Sequence, residues 1–357
     1  MKTAGSQRGE ATIKKPSAKV RKRLLTAAFV LLNIIVIAWT ARSEFSGDNA
    51  RLQDLEVRWV LLLPALLCFA LAIAAGTAKL VLIMNRTTGR SNWAVALRTV
   101  LVGRYYDNVT PGAVGGQPFQ IYYLTKNGYS AAESAAIPLA AFMSMQLAFI
   151  LLAVGMFIGC GHLILSDTIH VTAWIGLLFY GFFPIVILLS VIFPKAIAHA
   201  TEWVFALLHR MKLVKDKDKA VSNARGHISE YSECIRGLLR RPRLCVQILV
   251  LSLIYQVMMH LIPFFVLLAF GGELDWLSCV VTALAINSSI AFIPTPGNAG
   301  AAEGSFYLVF SQLTSGSVFW AMLFWRFFNY YAWIILGWIA YGTMFLDKKP
   351  EDREKKE

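Results

Sequence analysis

A ten-residue stretch interrupts an otherwise apolar region in the last third of the chain. Residues 294–303 read Pro-Thr-Pro-Gly-Asn-Ala-Gly-Ala-Ala-Glu, and they follow the apolar run from Leu274 to Phe292. Two prolines and two glycines within seven residues cannot continue a helix, because proline lacks a backbone donor and glycine favours open conformations. At membrane depth, irregular backbone is tolerated only where it is buried in protein or lines a watery cavity. The ionisable Glu303, directly after the break, is therefore a candidate functional residue.

A second break of the same kind lies earlier in the chain. Thr110-Pro111-Gly112 recurs as Thr295-Pro296-Gly297, 185 residues later, and the first copy also interrupts an apolar stretch. The apolar spans beginning near Trp59 and Ala131 are matched at about the same offset by spans beginning at Leu244 and Ser317. The sequence therefore predicts two copies of one unit, each consisting of a span, a broken hairpin and a span.

Composition places the chain in the membrane. Hydrophobic residues make up 57% of it and charged residues 15%, whereas about a quarter of a soluble domain is charged. The net charge of +13 is concentrated between the apolar spans, as the positive-inside rule expects, so nucleic acid is not predicted as a partner. The five cysteines lie singly and indicate neither a metal site nor a disulfide framework.

The charge pattern divides the chain into segments. The arms flanking each break are shorter than the roughly 20 residues that a spanning helix needs, which favours re-entrant hairpins. The second span runs from about Trp59 to Ile83, and the basic residues at its exit, Lys79, Arg86, Arg90 and Arg98, mark that end as cytoplasmic. The predicted segments are a basic cytoplasmic N-terminus (1–23), a first membrane half (24–193) with a re-entrant hairpin (93–127), a basic cytoplasmic linker (194–243), a second membrane half (244–346) with a re-entrant hairpin (274–313), and a charged cytoplasmic tail (347–357).

The predicted fold class is an all-α integral membrane protein. It has about six transmembrane helices plus two re-entrant broken-helix hairpins, arranged as an inverted repeat. The charge pattern makes the first hairpin enter from the cytoplasm and the second from outside. Inverted repeats with paired broken helices are typical of alternating-access transporters, whose site lies near the midplane between the copies.

The candidate site is the polar cavity that two broken hairpins would form. A break leaves amides and carbonyls unpaired, and a helix N-terminus attracts anions such as phosphate. No catalytic residue, metal site or cofactor is predicted. The candidate residues for a lipid-headgroup cavity are Arg104, Asp107, Asn108, Thr110, Pro111, Gly112, Gly115, Gly116, Gln117, Pro294, Pro296, Gly297, Asn298, Gly300, Glu303, Arg326 and Tyr330.

The charged candidates allow two interpretations each. Arg104 and Asp107 are three residues apart, so they can form an ion pair on one helix face, or Arg104 can contact a phosphate. Arg326 lies about ten residues into the last span, where an unpaired charge costs at least a few kcal/mol. Either Glu303 and Arg326 form a structural bridge, or Arg326 binds a lipid phosphate while Glu303 gates or binds a cation.

The two break motifs, together with Arg326 and Tyr330, resemble the lysylphosphatidylglycerol synthase/flippase transmembrane family. That family supplies the flippase region of the bacterial multiple peptide resistance factor, and the resemblance extends over about residues 24–346. It implies a bacterial inner-membrane protein, with both termini cytoplasmic, that moves an anionic or aminoacylated phospholipid such as lysylphosphatidylglycerol between leaflets. Gly297-Asn298 replaces a double glycine of the family, and asparagine tolerates the left-handed conformation that the turn needs.

The chain shows no aminoacyl-transferase domain after the last span, so we expect it not to be an enzyme. The resemblance then implies a stand-alone flippase or the partner of a separate aminoacyl-phospholipid synthase. The alternative function is a non-transporting membrane scaffold that binds such a synthase through linker 194–243. A third hypothesis, an intramembrane transferase, would depend on Glu303 and Asp107. The identity of the lipid and a homo-oligomeric state are left open.

Overall fold

Every regular element in the described part of the chain is a helix. The computed structural model describes residues 56–113, 115–192, 203, 236–237, 240–291, 293, 295–311 and 318–344. The predicted N-terminus, first span and charged tail lie outside these residues, as does most of linker 194–243. The helices are α1 (Leu62–Thr88), α2 (Trp93–Val109), α3 (Gly116–Lys126), α4 (Ala131–Cys160), α5 (Asp167–Ile192), α6 (Pro242–Ala269), α7 (Trp276–Ser289), α8 (Ala301–Phe310), α9 (Val318–Arg326) and α10 (Ala332–Met344).

Three of the described helices are long and apolar enough to cross a membrane. They are α1 with the turn before it (Trp59–Thr88), α4 with the turn after it (Ala131–Leu163), and α6 (Pro242–Ala269). The apolar helix α7 has only 14 residues, and α2, α3 and α8 have 17, 11 and 10, all fewer than the roughly 20 needed to span. The protein is thus an all-helical membrane protein, and the count of six spans stays a prediction.

Short polar sequences set several helix ends. Asn92 caps α2 by accepting hydrogen bonds from the amides of Ala94 and Val95. Ser130 and Glu133 form a reciprocal capping box at the start of α4. Asp275 caps α7 through the amide of Ser278 at 2.9 Å. These caps satisfy amides that the first helical turn leaves unpaired.

Three pairs of helices pack closely along each other. Helix α1 packs along α6, α2 packs against α10, and α7 packs against α5. Two glycines permit the closest approaches. A Cβ on Gly176 of α5 would collide with the Ser288 carbonyl of α7, and one on Gly337 of α10 would lie 2.8 Å from the Leu101 carbonyl oxygen of α2. Small residues at such crossings allow helix backbones to approach within a membrane.

The structure contains both backbone breaks that the sequence predicts. The short turns Pro111–Ala113 and Pro296–Asn298 separate α2 from α3 and α7 from α8. Their backbones match at the 185-residue offset: φ is 69° and 54° at Gly112 and Ala113, and 58° and 53° at Gly297 and Asn298. Asn298 therefore adopts the left-handed conformation expected of it. The hydrogen bonds match too, since Ala113 N donates to Thr110 O at 3.2 Å and Asn298 N to Thr295 O at 3.1 Å.

Ala113 is the strained position in this pair of turns. In the left-handed region a residue with a Cβ is less stable than glycine by roughly 1–2 kcal/mol. The greater conformational freedom of glycine in the unfolded chain offsets part of this difference. We therefore expect Ala113→Gly to stabilise the protein by about 1 kcal/mol. Thermal unfolding in detergent measures this, with Asn298→Gly as the matched control that should change stability less. A destabilised Ala113→Gly variant would contradict the analysis.

Candidate functional site

The tips of the two broken hairpins meet. The turns Pro111–Ala113 and Pro296–Asn298 contact each other. Asn108 Nδ2, at the end of α2, donates to the Tyr330 carbonyl at 3.4 Å. Tyr330 lies in a π-helical segment, Phe327–Tyr331, between α9 and α10, and π-helical turns are frequent at functional sites. The two sequence motifs, 185 residues apart, thus form one site.

Side chains of α2 and the turn cap the helix that follows the first break. Asp107 Oδ1 accepts a hydrogen bond from the Gly116 amide at 2.9 Å. Thr110 Oγ1 accepts one from the Gly115 amide at 2.9 Å and donates to the Tyr106 carbonyl at 2.7 Å. The amides at the start of α3 are therefore bound by the protein itself. This is the local reason for an Asp and a Thr before the glycines.

At the second break, a buried ion pair binds the backbone groups that the break leaves unpaired. Glu303 Oε2 accepts from the Gly300 amide at 2.7 Å, and Glu303 Oε1 accepts from Arg326 Nε at 2.5 Å. Arg326 Nη1 also donates to the Gly297 carbonyl at 3.2 Å. Glu303 and Arg326 are each 2% exposed. Of the two interpretations from sequence, the bridge is the contact that the structure contains.

Arg326 and the neighbouring Tyr330 each keep one hydrogen-bonding atom that the ion pair does not use. The Arg326 guanidinium carbon lies 4.9 Å from the ring centroid of Tyr330, within cation–π range. Arg326 Nη2 and Tyr330 Oη are buried and have no hydrogen-bond partner within the described part of the chain. These two atoms make the surroundings of the second break polar. Leaving a buried donor without a hydrogen bond costs free energy.

Arg104 pairs with an aromatic side chain and not with Asp107. Its Nε and Nη2 donate to Tyr255 Oη at 3.2 and 2.5 Å. Its guanidinium carbon lies 5.6 Å from the ring centroids of both Tyr255 and Trp333. The ion pair with Asp107 that the helical spacing allowed does not form, because Tyr255 of α6 binds the guanidinium. Arg104 therefore remains a cation without a carboxylate in direct contact.

Lys79 is a buried cation that the sequence analysis misplaced. The side chain is only 3% exposed, and its Nζ donates to the Ala141 carbonyl of α4 at 3.0 Å. From sequence, Lys79 is grouped with the basic residues at the exit of the second span, whereas the structure buries it within α1, nine residues before that helix ends at Thr88. The length of the apolar pattern beyond Lys79 was the signal that could have identified it.

A chain of polar side chains crosses the bundle from α5 to α4. Tyr180 Oη donates to Asn287 Oδ1 at 3.5 Å, and Asn287 Nδ2 lies 3.3 Å from His260 Nε2. His260 Nδ1 lies 2.7 Å from the Gln256 carbonyl, which only accepts, so Nδ1 carries the proton and Nε2 accepts from Asn287. Gln256 Nε2 in turn donates to the Met145 carbonyl at 3.2 Å. The imidazole is thereby fixed as a neutral tautomer.

Comparison with protein families identifies the chain. Residues 24–337 match the family described as the lysylphosphatidylglycerol synthase transmembrane region. The chain belongs to this lysylphosphatidylglycerol synthase transmembrane-region family. The match covers nearly the whole chain and confirms the resemblance drawn from the two break motifs. No curated protein matches the chain.

The other predicted positions complete the site of this family member. Pro111 and Pro296 begin the two turns, Gly112 takes its positive φ in the first, and Gln117 is half-buried at the start of α3. Pro294 lies outside the described residues. Among the described residues, no group of three or more His, Cys, Asp and Glu side chains is placed to hold a metal ion.

The ion pair at the second break should control stability as well as function. Sequence alone predicts that Glu303→Gln abolishes headgroup movement without unfolding the protein. The geometry adds a loss of stability, of about 3–5 kcal/mol, because a charged Arg326 would remain buried without its partner.

A double-mutant cycle of Glu303→Gln and Arg326→Gln, followed by thermal unfolding in detergent, measures the coupling. The double variant should be more stable than the sum of the two single losses predicts. Strictly additive losses would show that the two side chains do not act as a pair.

Proposed function

We propose that this member of the family is a phospholipid translocase. Its substrate would be an anionic or aminoacylated phospholipid such as lysylphosphatidylglycerol. The observation that carries the proposal is the meeting of two broken helices inside an all-helical membrane protein, where Asn108 of one hairpin binds the backbone beside the other. Irregular backbone in that setting is typical of transport sites.

We further infer an inverted repeat of about six spans in a bacterial inner membrane. The equal φ angles at the two turns and their matching hydrogen bonds support two copies of one unit. Helix α8 begins at Ala301, which is 185 residues after the start of α3 at Gly116, and this offset is the same as that of the two turns. The charge pattern of the sequence supports cytoplasmic termini.

The polar interior supplies a route for a headgroup. A phosphate crossing hydrocarbon without hydrogen bonds or counter-charges would meet a large free-energy cost. The bundle offers hydrogen-bonding groups at Arg104, at Arg326 Nη2 with Tyr330 Oη, and along the polar side chains around His260. The acyl chains would remain in the bilayer while the headgroup passes. A separate synthase is the class of partner that would supply an aminoacylated substrate.

A leaflet-movement assay tests the translocase directly. The protein is reconstituted in vesicles with headgroup-labelled phosphatidylglycerol or lysylphosphatidylglycerol, and the label exposed to an external quencher is followed over time. We expect the wild-type protein to accelerate movement of one or both lipids. Arg104→Gln should slow this movement about tenfold or more, because a charge-assisted contact is lost.

The matched control is Arg58→Gln, since Arg58 is exposed just before α1 and should leave the rate unchanged. Equal rates in Arg104→Gln and wild-type protein would remove Arg104 from the route. If folded wild-type protein accelerated the movement of neither lipid, the translocase proposal would be contradicted. The membrane scaffold would then be the remaining function.

A further inference from the structure

Helices α1 and α2 both present residues to Tyr255. Arg104 of α2 donates twice to Tyr255 Oη. Gly76 of α1 faces the same ring, since a Cβ placed there would lie 3.6 Å from Tyr255 Cδ2. Lys79 is three residues further along α1, on the same face of the helix. Lys79 and Arg104 therefore lie on two helices that pack against each other beside Tyr255.

Lys79 does not extend its ammonium to water, since its Nζ is bound to the Ala141 carbonyl inside the bundle. The span Trp59–Thr88 places Lys79 about 8 Å from its midpoint, at 1.5 Å per residue, inside a hydrocarbon layer about 30 Å thick. The side chain is 3% exposed. A lysine at such a depth is costly, and such residues commonly mark a substrate or ion pathway.

Both cations keep donors that the protein does not use. Lysine has three donors and arginine five, whereas Lys79 makes one hydrogen bond and Arg104 two, all to uncharged oxygens. Neither has a carboxylate within 4.0 Å in the described part of the chain. Asp107 is the one acidic group that acts on Arg104, and its Oδ1 is bound to the Gly116 amide.

The charges of this cluster sum to one positive charge. Counted in their ionised forms, Lys79 and Arg104 contribute two positive charges and Asp107 one negative, while the neutral hydroxyls of Tyr255 and Tyr180 add none. A phosphodiester carries one negative charge and several acceptor oxygens. A planar guanidinium and a compact ammonium are the two side chains that proteins use for phosphate.

We propose that Lys79, one helical turn from the glycine of α1 that packs on Tyr255, and Arg104, which binds the Tyr255 hydroxyl, together bind one phosphate group. The chemistry is shared by the phosphodiester of a phospholipid and by free phosphate. Where the phosphate belongs to a phospholipid, the inference rests on the proposed function. It then names the two residues that hold the phosphate of the transported lipid. Lys79 is the new member of the site, because the break motifs do not include it.

The test is a binding measurement that does not require transport. Full-length protein in a neutral detergent is titrated with dioleoylphosphatidylglycerol, with dioleoylglycerol, which lacks the phosphate, and with sodium phosphate. Native mass spectrometry follows the lipids, and thermal unfolding follows inorganic phosphate. The variants are Lys79→Met, Lys79→Gln and Lys79→Arg. The control is Lys126→Met, because Lys126 is an exposed lysine at the end of α3.

Removal of the charge should weaken phosphatidylglycerol binding. We expect Lys79→Met and Lys79→Gln to bind it about tenfold or more weakly than wild-type protein, whereas Lys79→Arg and Lys126→Met stay within about threefold. Dioleoylglycerol binding should be equal in all variants. A loss seen with phosphatidylglycerol alone assigns the phosphate to a lipid, and a loss of stabilisation by inorganic phosphate assigns it to the free ion.

Unchanged binding of both phosphate probes in Lys79→Met overturns the proposal. Lys79→Gln keeps a donor for the Ala141 carbonyl, so it covers the case in which the methionine variant does not fold. The two proposals fail separately. Protein that binds through Lys79 but moves no lipid overturns the translocase and keeps this site. Protein that moves lipid while Lys79→Met binds and transports normally keeps the translocase and overturns this site.

Discussion

The buried ion pair between Glu303 and Arg326 is the contact on which the second break depends. A broken helix inside a membrane protein leaves backbone groups that water cannot reach. Glu303 binds the amide of Gly300, Arg326 binds the carbonyl of Gly297, and the 2.5 Å contact between the two side chains joins these ends. One pair of opposite charges therefore satisfies the irregular backbone and fixes α9 beside it. Without that pair, neither charge would have a reason to be buried.

The first break satisfies its backbone by different chemistry. The backbone angles of the two turns agree within about 11°, which local Pro-Gly stereochemistry dictates. The capping groups do not repeat, since Asp107 and Thr110 bind the amides that follow the first turn without help from a cation. Arg104 is thereby available to Tyr255, 151 residues away. The two breaks thus share their backbone geometry and differ in the charges around them.

Sequence reasoning succeeded where the cause was local. The breaks follow from proline and glycine, and the left-handed Asn298 follows from side-chain tolerance of that region. The Glu303–Arg326 contact was anticipated as one of two alternatives, because few charges lie at that depth. The pairing of Arg104 with Asp107 failed, since helical spacing shows which side chains can meet and not which distant tyrosine competes. Lys79 was misassigned because counting basic residues at the end of a span carries no information on burial.

The interior charges bear on which headgroup the cavity fits. The pair Glu303–Arg326 is neutral as a unit, so the excess positive charge lies with Lys79 and Arg104, offset in part by Asp107. Phosphatidylglycerol carries one negative charge and would neutralise that excess. A lysylated headgroup brings two ammonium groups with its phosphate, so its amines must lie away from Lys79 for the same phosphate contact to form. At the proposed phosphate site the unmodified anionic lipid would need no further partner, whereas an aminoacylated one would require a second acidic or polar contact for its amines.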